Sequence, residues 1–167
     1  MLDSARIRQQ LSAFPLIRSY VTEVVPPNTL VVHVVERQPV ADIKNGTAWD
    51  QVDPAGVVIA AGEAAPSLPV IDVGGKPATS NAFAAAVAVV LSLPRSLSKN
   101  VATVSATSTD DVSLTLKGSN RRVVWGSADR SAAKAAALAL LLTKSTCKSQ
   151  PVIDVSAPKA VTCGPEH

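Results

Sequence analysis

What most constrains this chain is where its prolines and turn residues fall. Pro15, Pro26-Pro27-Asn28-Thr29, Pro39, Asp53-Pro54-Ala55-Gly56, Pro94, Gly118-Ser119-Asn120 and Pro158 cut a valine- and alanine-rich sequence into short pieces. Proline fixes its own φ and has no N–H to give to a helix or a ladder, so no long element crosses these points. The fold must be assembled from short strands and short helices.

The pieces declare their type by period. "LDSARIRQQLSAFP" spaces Ile7, Leu11 and Phe14 at helical intervals, with Asp3 or Ser4 as cap and Pro15 as stop. "IRSYVTEVV" (17–25) and "TLVVHVVE" (29–36) flank the Pro-Pro turn and read as a hairpin. Leu30, Val32 and Val34 are expected to cover the opening helix, with His33 facing outward. "VADI" and "WDQV" follow, and "DPAG" has the Asp, Pro and Gly preferences of a type I turn leading into "VVIA". Residues 60–79 are rich in Gly, Pro and Ala and read as a connecting loop that touches the core at Leu68, Val70 and Ile71.

Residues 81–93 form a helix capped by Ser80 or Asn81, with Phe83, Val87, Val90 and Leu91 on one face. Three strands are expected in "VATVSAT", "VSLTLK" and "RRVVWG", the last two as a hairpin about Gly118-Ser119-Asn120. Asp129 is the expected cap of a second alanine-rich helix over 130–144, with Ala135, Leu138, Leu141 and Leu142 inward. "PVIDVS" and "AVTC" close the chain as strands separated by Pro158. The reading is α+β: a helix with a hairpin, then a mainly antiparallel mixed sheet with two helices packed on it.

Several function classes are disfavoured. Aromatics are 3% of the residues, so the core is built from Val, Ala and Leu, and the rings that nucleic-acid readers stack on bases are scarce. The net charge of +3 is spread along the chain and reads as solubility rather than as a nucleic-acid stripe. No apolar run approaches the ~20 residues of a membrane helix, and no secretory signal stands at the start. A chain that opens already inside a helix reads as a fragment.

His33 and His167 are the only histidines. One lies in a strand and the other is terminal, so neither has the loop context of a catalytic triad. His33 reads as a surface strand residue. Asp110-Asp111 reads as turn chemistry, and the sequence lacks the nucleophile-elbow, phosphate-loop, zincin and dinucleotide motifs. No catalytic residue, metal site, cofactor or small-molecule substrate is expected. Cys147 and Cys163 lack neighbouring histidines and cannot alone build a zinc site; free thiols, one disulfide or unrelated positions all remain open. The terminal strand, following a proline, is a candidate sheet edge, and edges can accept another chain as an added strand.

The order of motifs resembles the extracytoplasmic part of the FtsQ (DivIB) cell-division family, most of all its actinobacterial members. "DSARIRQQLSAFPLIRSYVTEVVPPNTLVVHVVERQPVA" is similar to the latter part of a POTRA domain, and "WDQVDPAGVVI", "LPVIDV", "LTLKGSNRRVVWGSADRSAAKAAALALLL" and "VIDVSAPKAVT" to the family's β domain. The resemblance implies a partial POTRA domain over 1–38, lacking its first strand and helix, and a β domain over 39–167. It implies a non-enzymatic divisome scaffold that binds FtsB/DivIC-like and FtsL-like partners, anchored by a membrane helix missing here, with this fragment on the extracytoplasmic side at the septum. The partner surface falls on Ala157, Lys159, Ala160, Val161, Thr162 and Cys163. The joint between the domains falls on Glu36, Arg37 and Pro39. An extracytoplasmic setting also favours a Cys147–Cys163 disulfide. Alternative readings are a POTRA-type polypeptide-binding module of a transport or assembly protein and, from a different class, a cell-wall enzyme.

Overall fold

A computed structural model of the chain describes residues 4–144, 147 and 149–165. The expected cap Asp3 and the terminal His167 lie outside the described residues, as does the side chain of Ile7. The order is α1 (Ser4–Ser12), β1 (Ile17–Val25), β2 (Thr29–Glu36), β3 (Ala41–Asn45), β4 (Ala48–Val52), β5 (Val58–Gly62) and β6 (Val70–Asp72). Then come α2 (Asn81–Ser92), α3 (Arg95–Ser98), β7 (Val101–Ala106), β8 (Val112–Leu116), β9 (Arg122–Gly126), α4 (Ser131–Thr143), β10 (Val152–Asp154) and β11 (Thr162–Gly164). This is the expected α+β architecture, with the single-turn α3 added after Pro94.

β1 and β2 form a separate antiparallel hairpin. Its valines are not buried by α1. Val32 and Val34, expected to lie under the helix, are exposed, as are Val21, Val24 and Val35. Length gives the reason: nine helical residues span about 13 Å, whereas a nine-residue strand runs about 30 Å. The helix can shade only one end.

The other nine strands make one sheet in the order β11-β10-β9-β8-β7-β6-β3-β4-β5. Five of its neighbour pairs are antiparallel and three parallel, the parallel ones being β3–β6, β6–β7 and β9–β10. Two of the parallel pairs are crossovers through α2 and α4. Residues opposite one another across a sheet share a face, so the register defines continuous rows. Ile71, Val104, Leu114, Val123, Ile153 and Cys163 form the row beneath the helices. The flanking row Asp72, Ser105, Ser113, Val124, Asp154 and Thr162 lies on the opposite, helix-free face. That face is hydroxyl-rich and half-buried, and the β5–β6 connection crosses one side of it, where Ala65 N–H donates to Asp42 Oδ2 (2.7 Å) and Lys117 Nζ to the Pro66 carbonyl (3.2 Å).

Residues 60–79 are more than a loop. β5 continues to Gly62, and β6 is a central strand paired with β3 on one side and β7 on the other. Three residues are too few to show a period, which is why the strand reads as an apolar island. In α2 the buried set is Ala82, Phe83, Ala85, Ala86, Val87, Val89 and Val90, while Leu91 is 61% exposed, not inward as expected. At about 100° per residue, Leu91 sits about 140° from Ala86. Small residues mark the centre of this face because they let the helix approach the sheet closely, and a reading weighted to large side chains rotates it wrongly.

Helix α2 is capped by Ser80, whose Oγ accepts from Phe83 N–H (3.2 Å). Helix α4 is not capped by Asp129. Arg130 takes the cap position in the left-handed region (φ 52°) with no side-chain cap bond. The buried Ser131 hydroxyl instead accepts from Trp125 Nε1 (3.1 Å) and donates to the Ala128 carbonyl (2.7 Å). Lys134, buried in the same helix, donates to the carbonyls of Trp125 (3.0 Å) and Ser127 (2.8 Å), and burial pushes its ammonium below the usual lysine range.

Candidate protein-binding edge and the Arg37 joint

The sheet ends at β11, which pairs antiparallel with β10 through Val152–Gly164, Ile153–Cys163 and Asp154–Thr162. Among the described residues no strand pairs with its outer side. The chain reaches this position by a turn after β10: Ser156 N–H donates to Asp154 Oδ1 (2.8 Å), and Ala160 N–H to the Ala157 carbonyl (2.9 Å). Gly126, in the left-handed region (φ 74°), lies under this turn; a Cβ there would stand 3.2 Å from Ser156 Cβ.

Cys163, the middle residue of β11, is bonded to Cys147 beyond the end of α4, with the two Cα atoms 5.6 Å apart. Cys147 is buried, and Cys163 with Val161 packs against the core. The crosslink therefore ties a three-residue edge strand to the helix layer. Such a strand has little pairing of its own to hold it.

The structure divides the expected surface residues. Thr162 and Cys163 lie in the edge strand, whereas Ala157, Lys159 and Ala160 belong to the exposed turn before it and Val161 leads in with its side chain toward the core. The proline-centred turn takes more of the chain than the sequence suggested, which shortens the strand and moves it to Thr162–Gly164. Gly164 was not anticipated. A shallow groove of about 390 Å³ runs on the helix-free face beside it, over Arg122, Val124, Val152, Asp154 and Thr162.

At the other end of the sheet, Arg37 N–H donates to the Leu16 carbonyl (2.7 Å), extending the hairpin by one bond. The Arg37 guanidinium donates through Nη1 to Asp53 Oδ2 at 2.5 Å, with Asp53 almost fully buried. Asp53 opens the turn between β4 and β5: Gly56 N–H donates to its carbonyl (2.9 Å), while Ala55 and Val57 N–H donate to Oδ1 (3.0 and 2.9 Å). Burial pushes this carboxyl up, but the Val57 and Ala55 amides and the Arg37 guanidinium outweigh it and hold it below the ordinary carboxylate range. Glu36 is exposed and pairs across the hairpin with Ile17. Of the adjacent charges, Arg37 reaches the sheet and its partner there is Asp53.

Other ionisable groups have structural settings. His33 is exposed, 3.7 Å from Glu23 across the hairpin. Asp42 is fully buried, with Oδ2 accepting from Ala65 N–H and Oδ1 without a partner, and burial raises its carboxyl above the ordinary range. Among the described residues there is no group of three or more His, Cys, Asp or Glu able to hold a metal. No described helix is long and apolar enough to cross a membrane.

Comparison with known proteins points one way. Residues 1–37 match the family model described as "POTRA domain, FtsQ-type". The chain is 32% identical to a cell division protein FtsQ of Mycobacteroides abscessus over 96% of its own length and 50% of that protein's. It is 34% identical to the FtsQ of Mycobacterium leprae, with 96% and 46% covered, and 32% identical to that of Streptomyces griseus, with 93% and 76% covered. It thus spans about half the length of the two mycobacterial relatives and three quarters of the streptomycete one.

Proposed function

Since this chain belongs to the FtsQ family of cell division proteins, we propose that it is a non-enzymatic scaffold of the bacterial divisome, acting on the extracytoplasmic side of the cell membrane at the septum. A membrane helix outside these residues would anchor it. The observation that carries the reading is the β11 edge: a strand whose outer side has no partner among the described residues, tied by a disulfide to the helix layer and offering backbone N–H and C=O groups to an incoming strand. Its partners would be FtsB/DivIC-like and FtsL-like proteins. A disulfide suits an oxidising compartment.

The division into a POTRA unit (1–38) and a β domain (39–167) belongs to the same proposal. The two-part sheet arrangement supports it, and the Arg37–Asp53 bond supports a joint at Glu36, Arg37 and Pro39. Within the proposed surface, Thr162, Cys163 and the unanticipated Gly164 would supply the pairing backbone. Ala157, Lys159, Ala160 and Val161 would border it.

The test is to add a peptide of the extracytoplasmic segment of an FtsB-type protein to the isotopically labelled chain and follow backbone amides. Shifts centred on Thr162–Gly164 and β10 are expected, and Lys159→Ala is expected to change affinity less than threefold. Shifts centred on the β5 edge or on the hairpin would overturn the assignment of the site.

A further inference from the structure

A cleft of about 500 Å³ lies away from the β11 edge, where β3 and β6 part. These strands share one register pair, Asp42–Val70, fastened by Asp42 N–H to the Pro69 carbonyl (3.0 Å), and no further pair follows toward their carboxyl ends. The sheet splits there because the chain leaves in opposite directions. From β3 it turns outward into β4 and β5; from β6 it runs through residues 73–80 into α2 and returns as β7 on the other side. β3, β6 and β7 run parallel, and the divergence of the chain after β3 and β6 opens a crevice outside their carboxyl ends, a feature like the one at which open α/β sheets take ligands.

The lining has the mixed character of a ligand site. Trp49 stands half-buried on one wall, paired across the hairpin with Lys44, and the buried Phe83 of α2 closes the helix side. Lys44 and Lys76 supply two cations at the mouth. Lys76 Nζ is steadied by the Thr107 carbonyl, which occupies one of its three donors. The one carboxylate at the mouth, Asp72, is turned into its own loop, where Oδ1 accepts from Gly74 N–H (2.9 Å). Positive charge is left facing an apolar and aromatic floor.

We propose that this cleft binds a small amphipathic anion, with a planar or aliphatic body against Trp49 and Phe83 and a carboxylate or phosphate held by Lys44 and Lys76. An occupant would bridge β3 and β6 where a single residue pair now joins them. Binding would therefore stabilise the sheet at its weakest seam.

The experiment titrates the 167-residue chain with phenyl phosphate, benzoate and inorganic phosphate, read by amide shifts and by tryptophan fluorescence. Saturable shifts at Lys44, Trp49 and 72–76 are expected with phenyl phosphate or benzoate, whichever wins identifying the anionic group. Inorganic phosphate should bind at least tenfold more weakly. The double substitution Lys44→Gln, Lys76→Gln should weaken binding at least tenfold while leaving the melting temperature of the free chain within 2 °C, since both side chains are exposed. Trp49→Ala, checked for fold by its amide spectrum, should also weaken it. Non-saturating shifts, equal binding of inorganic phosphate, or affinity indifferent to the two lysines would overturn the proposal.

Discussion

Arg37 and Asp53 show how much one buried ion pair depends on what else surrounds it. The Asp53 carboxylate is satisfied by two amides as well as by the guanidinium, so its ionised form is stabilised in the fold. Asp53→Asn is expected to cost about 2 kcal/mol at pH 7, measured by urea unfolding. A carboxyl whose folded pKa is depressed contributes stability that is fully present above its unfolded value, near pH 4, and is lost as pH falls through the folded value. The gap between the parent chain and Asp53→Asn should therefore be flat from pH 7 to about 5 and close below about 4. Asp42 has the opposite sign, its raised pKa making the ionised form a cost at neutral pH, so the difference between variants is the quantity to follow. Asp53 was legible as the first residue of a type I turn. Its bond to Arg37 was not, because that depends on how β3 and β4 bring residues 37 and 53 together.

At the scale of elements, local signals were read well where they were dense and poorly where they were short. The hairpins about residues 26–29, 53–56 and 118–120 carry turn residues with definite preferences, and each forms. β6 and β11 are three-residue strands whose places are set by neighbours, so the first reads as an apolar island in a loop and the second, legible as a terminal strand in "AVTC", has its bounds displaced to Thr162–Gly164. The disulfide compensates for that weakness at β11. Replacing both cysteines, Cys147→Ser with Cys163→Ser, is expected to cost about 3 kcal/mol, the usual scale for a loop of this length. Amide exchange should then accelerate at Thr162–Gly164 far more than in β7 and β8. Uniform loss of protection across the sheet would show that the crosslink supports the whole fold and has no particular bearing on the edge.

The whole molecule has two very unequal parts. The sheet with α2 and α4 buries a continuous core from Val40 to Val155, whereas the β1–β2 hairpin leaves six of its valines exposed. Stability should follow burial. Hydrogen exchange at neutral pH is expected to run at least a hundredfold faster in β1 and β2 than in β7 and β8, read by mass spectrometry of peptic fragments. Equal rates would mean that the hairpin shares the stability of the sheet. A hairpin followed by a larger mixed sheet is legible in the sequence, but its poor coverage by α1 is not, because that depends on the relative lengths of helix and strands.

One seam gives this plan a mechanical meaning. A tensile load entering at the hairpin would pass through Arg37 and Asp53 into β3–β5, and the sole ladder contact that carries it on to the strands beyond is Asp42–Val70, the slack β5–β6 connection taking up load only after that contact parts. Elsewhere in the sheet three or more register pairs share such a load. The fold thus contains a built-in fuse: pulled from opposite ends, it should yield first between β3 and β6, leaving the disulfide-tied edge and its neighbours intact while the first part swings free.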